Sequence, residues 1–379
     1  MGSGKTMSSP ELLERFRDPD LARRLVAAIR ARSRRRVSLM EFCGGHTHAI
    51  LRYGLPSLLP ETIDLRSGPG CPVCVTSTAE LDRAIALARL PDVILCTFGD
   101  MMRVPGSRSS LAQAKAQGAD VRVVYSPLDA LRIAQENPRR PVVFLGVGFE
   151  TTAPMVAAAV LAAEAGGVDH FFVYSAHKLT PPATRAILDA GEVALDGIIG
   201  PGHVTTVIGT EAWQFLPQEY GVPCAIAGFE PVDLLQAILA LVEMIEEGRP
   251  AVANAYGRSV QPRGNAPAQQ AIARVFEVGA SEWRGLGTIP QSGLVFREEY
   301  ARFDATVAFA VPSLPQRDPP GCRCGDVLRG VLRPPECPLF ARACTPEHPV
   351  GPCMVSAEGA CAAYFAYTVE GRIHAGQGS

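Results

Sequence analysis

The chain has 379 residues, 47% of them hydrophobic, and a formal net charge of −2. At roughly 100–200 residues per domain, that length predicts two or three domains with sizeable cores. The balanced charge offers no general field for nucleic acid or a membrane surface. No apolar run reaches the ~18 residues of a transmembrane helix, and no signal-peptide pattern is present, so a cytoplasmic protein is expected. Thiols stay reduced there, so eleven cysteines point to metal binding or thiol chemistry rather than to a disulfide framework.

Residues 1–36 read as a helical segment. "LARRLVAAIR" (21–30) is a short apolar run broken by arginines, and the basic "RARSRRR" (30–36) is its solvated end. "GSGKT" (2–6) looks like the tail of a phosphate-binding loop, but it lacks the preceding strand and the longer glycine loop, and is set aside. A strand-like run, "RRVSLMEF" (35–42), then feeds into Cys43, Gly44, Gly45, His46, Thr47 and His48. The two glycines allow close approach of another backbone or a ligand. A thiol beside two imidazoles fits a turn with a buried thiol, or a metal or redox site.

"SGPGCPVCVTS" (67–77) holds a C-x-x-C pair, Cys71 and Cys74, on what reads as a rigid exposed loop. "STAELDRAIALAR" after it predicts a helix capped by Ser77 or Thr78, whose dipole would acidify a nearby thiol. A redox dithiol and half of a zinc site are both open for this pair.

The middle of the chain repeats one plan, a short apolar run, a glycine-containing loop and a helical stretch. It recurs at 92–107, 121–127, 141–154, 170–178, 195–209 and 224–235. Such alternation predicts α/β architecture with mainly parallel sheets. Two α/β domains, 37–138 and 139–245, are expected to join near "QENPRRP" (135–141). In these sheets the loops beyond the strand C-termini form the ligand crevice, where Asp100, Arg103, Glu150, His177, Lys178 and His203 are expected. Cys96 and Cys224 fall inside apolar runs and read as core. "GVGFET" (146–151) lacks the full glycine fingerprint of a dinucleotide site.

Residues 246–379 form a third region, partly helical, organised around Cys322, Cys324, Cys337, Cys344, Cys353 and Cys361. The spacing C-x-C-x12-C-x6-C-x8-C-x7-C contains no C-x2-C pair. Four thiolates serve either an iron–sulfur cluster or zinc, and the spacing leans to the cluster.

Together "CGGHTH" (43–48), "GPGCPVC" (68–74), "TFGDMMRVPGS" (97–107), "GFETTAP" (148–154), "GPGHVTTVIG" (200–209), "GFEPVDLL" (228–235) and the cysteine-rich tail closely resemble the HypD family of [NiFe]-hydrogenase maturation factors, over about residues 37–370. The resemblance implies two α/β domains, a cluster-bearing region and one [4Fe–4S] cluster. It implies a scaffold on which an Fe(CN)2CO unit is assembled, with redox activity rather than free-standing turnover. A HypC-type small chaperone would share the iron, a HypE-type protein would deliver cyanide, and the hydrogenase large subunit would receive the unit indirectly. Cys43 would be the iron ligand, with His46 and His48 orienting or hydrogen-bonding the bound unit. Cys71 and Cys74 would be a redox pair able to form a disulfide and reached by electrons from the cluster. Asp100 and Glu150 would deliver protons or hydrogen-bond cyanide. Cys324, Cys337, Cys344 and Cys361 are chosen as cluster ligands, with Cys322 and Cys353 spare. Two other classes stay open on the residues: a cluster-dependent thiol–disulfide reductase using Cys71 and Cys74, and a zinc-binding interaction module using Cys43, His46, Cys71 and Cys74.

Overall fold

A computed structural model describes residues 14–311 and 318–370; the "GSGKT" motif lies outside them. Two parallel sheets and one hairpin carry the architecture. β1 (Val37–Glu41), β2 (Ile63–Ser67), β7 (Gly197–Pro201), β8 (Cys224–Ala227) and β9 (Val252–Asn254) form a five-stranded sheet in the order β2-β1-β7-β8-β9. β3 (Ile94–Thr97), β4 (Asp120–Val123), β5 (Val142–Gly148) and β6 (Phe171–His177) form a second sheet in the order β4-β3-β5-β6. All pairs within these two sheets are parallel, with Val37 opposite Ile63, Ile198 opposite Cys224 and Val142 opposite Phe171.

The apolar runs form strands for the expected reason. β5 ("VVFLGVG") is buried along its whole length, as a parallel strand covered on both faces must be. The helix Ala153–Ala165 that follows packs its alanines and valines beneath the same sheet. Cys96 and Cys224 lie fully inside the cores, in β3 and β8.

The domain division differs from the expected one. β3 and β4 precede residue 135 and β5 and β6 follow it, yet β3 pairs with β5 from Ile94–Val142 to Cys96–Phe144. The chain lays down β1 and β2, builds the whole second sheet, and returns to complete the first. Local sequence marks a strand but not the sheet it joins, because that choice rests on long-range packing.

The C-terminal third also departs from expectation. β9 extends the first sheet, and the helix Ala266–Val275 follows, capped by the Asn265 side chain. β10 (Phe276–Trp283) and β11 (Gly287–Phe296) then make an antiparallel hairpin. The hairpin bridges Thr76 through Trp283 and Lys178 through Gly293, fastening the C-x-x-C segment to the edge of the second sheet.

Each sheet has a point where its order reverses. In the first it lies between β1 and β7, and in the second between β3 and β5. Crevices open at such points beyond the strand C-termini. The loops there carry Cys43 and His46 after β1, His203 after β7, Asp100 and Arg103 after β3, and Glu150 after β5.

Candidate metal and thiol site

Cys43 stands where β1 ends and the helix Gly44–Arg52 begins, in the N-cap position. Its backbone N–H donates to Glu41 Oε2 at 2.8 Å, and the Thr47 hydroxyl donates to the other carboxylate oxygen. Glycines make this turn possible. A Cβ on Gly44 would lie 2.2 Å from the Glu358 carbonyl oxygen, and one on Gly70 would lie 2.2 Å from the Cys43 nitrogen. The thiol is half-buried and free. Desolvation, reinforced by the Glu41 and Glu358 carboxylates, pushes its pKa up to about 12. Burial likewise raises Glu41 to about 8. Burial and these carboxylates therefore favour Cys43 as a thiol, and a metal cation binding there would exchange for its proton.

His46 is fully buried; its Nε2 lies 3.1 Å from the Ala227 carbonyl, and Nδ1 has no protein partner. Burial lowers its pKa to about 4, so the ring is neutral at pH 7. A carbonyl only accepts, so Nε2 carries the proton and Nδ1 offers a lone pair. Phe229 lies between two imidazoles, with its ring centroid 4.8 Å from His46 and 3.9 Å from exposed His203. His48 turns elsewhere, with Nε2 3.0 Å from the Tyr367 hydroxyl.

Cys71 and Cys74 form a disulfide, and both are buried rather than exposed. The predicted cap at Ser77 is present as a capping box with Glu80, but the short helix Pro72–Val75 and the hairpin cover the pair. The pair adjoins the Cys43 turn, since Gly44 N–H donates to the Gly70 carbonyl at 2.9 Å. On its other side Cys74 Sγ lies 3.9 Å from the Pro352 carbonyl oxygen, one residue before Cys353.

The six C-terminal cysteines line one small cavity of about 20 Å³, walled by Phe340, Leu339, Met354 and Val327. Here the choice of Cys324 as a ligand and Cys322 as spare needs correction. Cys324 and Cys353 form a disulfide, leaving Cys322, Cys337, Cys344 and Cys361 as free thiols. Cys324 opens the helix Cys324–Leu328. Gly351 is part of the cradle, because a Cβ there would lie 2.4 Å from Cys322 Sγ. Burial and then the neighbouring Cys344, Cys322 and Cys337 drive the Cys361 thiol well above its ordinary range. Val350 N–H points at Cys344 Sγ at 3.4 Å. Four soft donors, converging charge and apolar walls fit an iron–sulfur cluster.

The remaining crevice residues divide. Asp100 is exposed and its charge reaches Glu358 beside Gly44. Arg103 instead holds the cysteine region to the second sheet, donating to the Pro346 and Val355 carbonyls at 3.2 Å each. Glu150 is buried and accepts the Thr180 N–H at 2.7 Å, with its other oxygen unpartnered; burial raises it to about 7. His177 is buried, held by Ser175 Oγ at 3.0 Å and lowered by burial to about 3. Lys178 is fully buried, its ammonium spent on Glu80, Ser281 and the Glu282 carbonyl. Arg103, Glu150, His177 and Lys178 thus brace the structure and do not gather at one crevice. Sequence reasoning missed Glu41 and Phe229 and set Cys322 among the spare cysteines. The first two were signalled by their places at strand ends beside named motifs.

The fold and this site define a two-sheet α/β protein with one free thiol at a crevice, two disulfides and a four-thiol pocket. Residues 20–368 match the HypD family, described as "Hydrogenase formation hypA family". The chain is 52% identical over 364 residues to the hydrogenase maturation factor HypD of Azotobacter vinelandii, covering 94% of this chain and 96% of that protein. It is 50% identical over 364 residues to HypD2 of Bradyrhizobium diazoefficiens, covering 93% and 96%. It is 47% identical over 363 residues to HypD of Escherichia coli, covering 94% and 97%. The chain belongs to the HypD family. Among the described residues no helix is long and apolar enough to cross a membrane.

Proposed function

We propose that this chain is a hydrogenase maturation factor that holds an iron unit on Cys43 while cyanide and carbonyl ligands are added, working in the cytoplasm with a HypC-type chaperone and a HypE-type cyanide donor. The observation that carries the reading is the placement of one free, half-buried thiol at a sheet switch point, backed by the Cys71–Cys74 pair. The iron unit is cargo. Thiolate is a soft ligand suited to iron that also bears cyanide and carbonyl. The His46 Nδ1 lone pair and the exposed His203 ring flank Phe229 at the same rim, where they can orient polar ligands or pass protons.

Cys322, Cys337, Cys344 and Cys361 would hold a [4Fe–4S] cluster, which supplies one-electron chemistry when bound. The Cys324–Cys353 disulfide lines the same cavity, and Pro352 links it to Cys74. Opening the Cys71–Cys74 disulfide to two thiols would take two electrons and two protons, so a one-electron centre would have to supply them in two steps.

A thiol–disulfide reductase acting on other proteins is less well supported, because buried Cys71 and Cys74 are closed to an outside cysteine. For a zinc module, Cys71 and Cys74 are bonded to each other and His46 to Ala227. Among the described residues no three Cys, His, Asp or Glu side chains converge on a single-ion site.

The test is infrared spectroscopy on chain purified without oxygen together with its small chaperone, with iron and sulfide assayed on the same sample. Cyanide and carbonyl bands with iron beyond four per chain are expected, an iron count resting on the cluster type. Cys43→Ala is expected to lose the bands and keep the brown cluster. A variant that kept the bands would show that Cys43 is not the essential ligand.

A further inference from the structure

The tip of the β10–β11 hairpin sets Arg284 between the two cysteine sites. Its backbone N–H donates to the Val75 carbonyl at 2.8 Å, alongside the residues that follow Cys74. On the other side, Gly285, at φ 77°, meets Gly325 so closely that a Cβ would lie 2.4 Å from the Gly325 Cα. Gly325 is the residue after Cys324, and Arg329 Nη1 locks the contact by donating to the Gly285 carbonyl at 2.8 Å.

The Arg284 side chain is only 3% exposed. Nε donates to the Thr76 carbonyl at 3.1 Å, Nη1 donates to Thr78 Oγ1 at 2.8 Å and to Asp318 Oδ1 at 2.5 Å, and Nη2 has no partner. A guanidinium stays protonated in proteins. Its ion-pair partner among the described residues, Asp318, is 65% exposed, so water screens that charge while the buried guanidinium is screened far less. Glu80 and Asp82 also face it, but Glu80 is committed to Lys178 and Asp82 accepts the Ser107 N–H at 2.8 Å. A partly compensated positive charge therefore sits beside the hairpin tip that touches Gly325, and its field reaches Cys322. Buried charge without a full partner is costly. Nearby anionic sulfur offsets that cost, and net charge near the sulfurs sets the potential of an iron–sulfur site.

We propose that Arg284 is a positioning residue of the cysteine pocket, whose fixed charge stabilises the added electron of a cluster held by Cys322, Cys337, Cys344 and Cys361. The inference rests on the cluster reading above. In the step concerned, one electron from an external one-electron donor enters the oxidised cluster. No bond breaks, no proton moves, and the charge of the site falls by one.

The test is a dye-mediated redox titration of the anaerobically reconstituted full chain, using dithionite and reading the reduced cluster by electron paramagnetic resonance. Iron and sulfide are assayed on every sample. Arg284→Gln is expected to keep a full cluster and lose about tenfold in the one-electron reduction equilibrium, a fall of about 59 mV. Arg284→Lys, which keeps the charge, should recover most of that loss. Asp318→Asn, which keeps an acceptor oxygen for Arg284 and Thr78, should move the potential the opposite way by a smaller amount, and it decides the matter if the Gln variant fails to fold. An unmoved potential in Arg284→Gln, or in Asp318→Asn where the Gln variant does not fold, overturns the inference while the cluster reading stands. Wild-type chain without iron and sulfide overturns both.

Discussion

The Cys43 turn and the C-terminal cysteine pocket bear sulfur chemistry on opposite kinds of scaffold. The turn hangs on β1, a central strand of a five-stranded parallel sheet. Its geometry is held by backbone pairing, by the Glu41 carboxylate and by glycines that admit neighbouring backbone. The pocket has little regular structure. It is assembled from short turns at Pro334–Glu336 and Pro352–Met354, a five-residue helix at each flank and one disulfide. A sheet-borne site stays shaped without its metal. A pocket of turns gains much of its order from sulfur bonds, because it buries few backbone hydrogen bonds of its own.

The sharpest break in this comparison lies inside the pocket. On the proposed cluster reading, Cys322→Ser should abolish a four-iron cluster, whereas Cys353→Ser should keep it and lose only the Cys324 disulfide. Iron and sulfide analysis, with visible absorption, reads the difference. Cluster retained in Cys322→Ser and lost in Cys353→Ser would reverse the ligand assignment.

A smaller effect is expected at the turn. Gly44→Ala drives a Cβ against the Glu358 backbone. It should cost about 2–3 kcal/mol, the upper range for overpacking against atoms that cannot yield. Denaturant unfolding of the iron-free chain measures it, and an unchanged midpoint would mean the turn is less tightly held than its contacts indicate.

An effect of similar size, present only at higher pH, concerns burial without sulfur. Glu150 is raised to about 7 in the fold, above its unfolded value near 4.5. Between those values the folded chain binds more protons than the unfolded chain, so its stability contribution is present below the unfolded pKa and fades as pH rises through 7. Glu150→Gln keeps the acceptor for Thr180 and removes the titration. Relative to wild type it should gain about 3 kcal/mol at pH 8 and almost nothing at pH 4.5. Equal differences at both pH values would exclude the linkage.

Much of the fold was legible because strands and helix caps are local. The β-branched runs at 142–148 and 171–177 are strands, and Ser77 with Glu80 is a capping box within four residues. The hairpin at 276–296 was missed although β-favouring residues flank its glycine turn, since those strands expose much of both faces and show no clean alternation.

The sequence by itself determined the strand–helix alternation, the glycine-hinged thiol after β1, and the clustering of six cysteines near the C-terminus. Those features depend on neighbours a few residues apart. Tertiary structure decided which strands share a sheet, that Lys178 is used up by Glu80 ninety-eight residues away, and that Cys324 pairs with Cys353 so that Cys322 joins the free thiols. Each of those choices is made by long-range packing, where the burial of a charge or a sulfur depends on which distant segment arrives beside it.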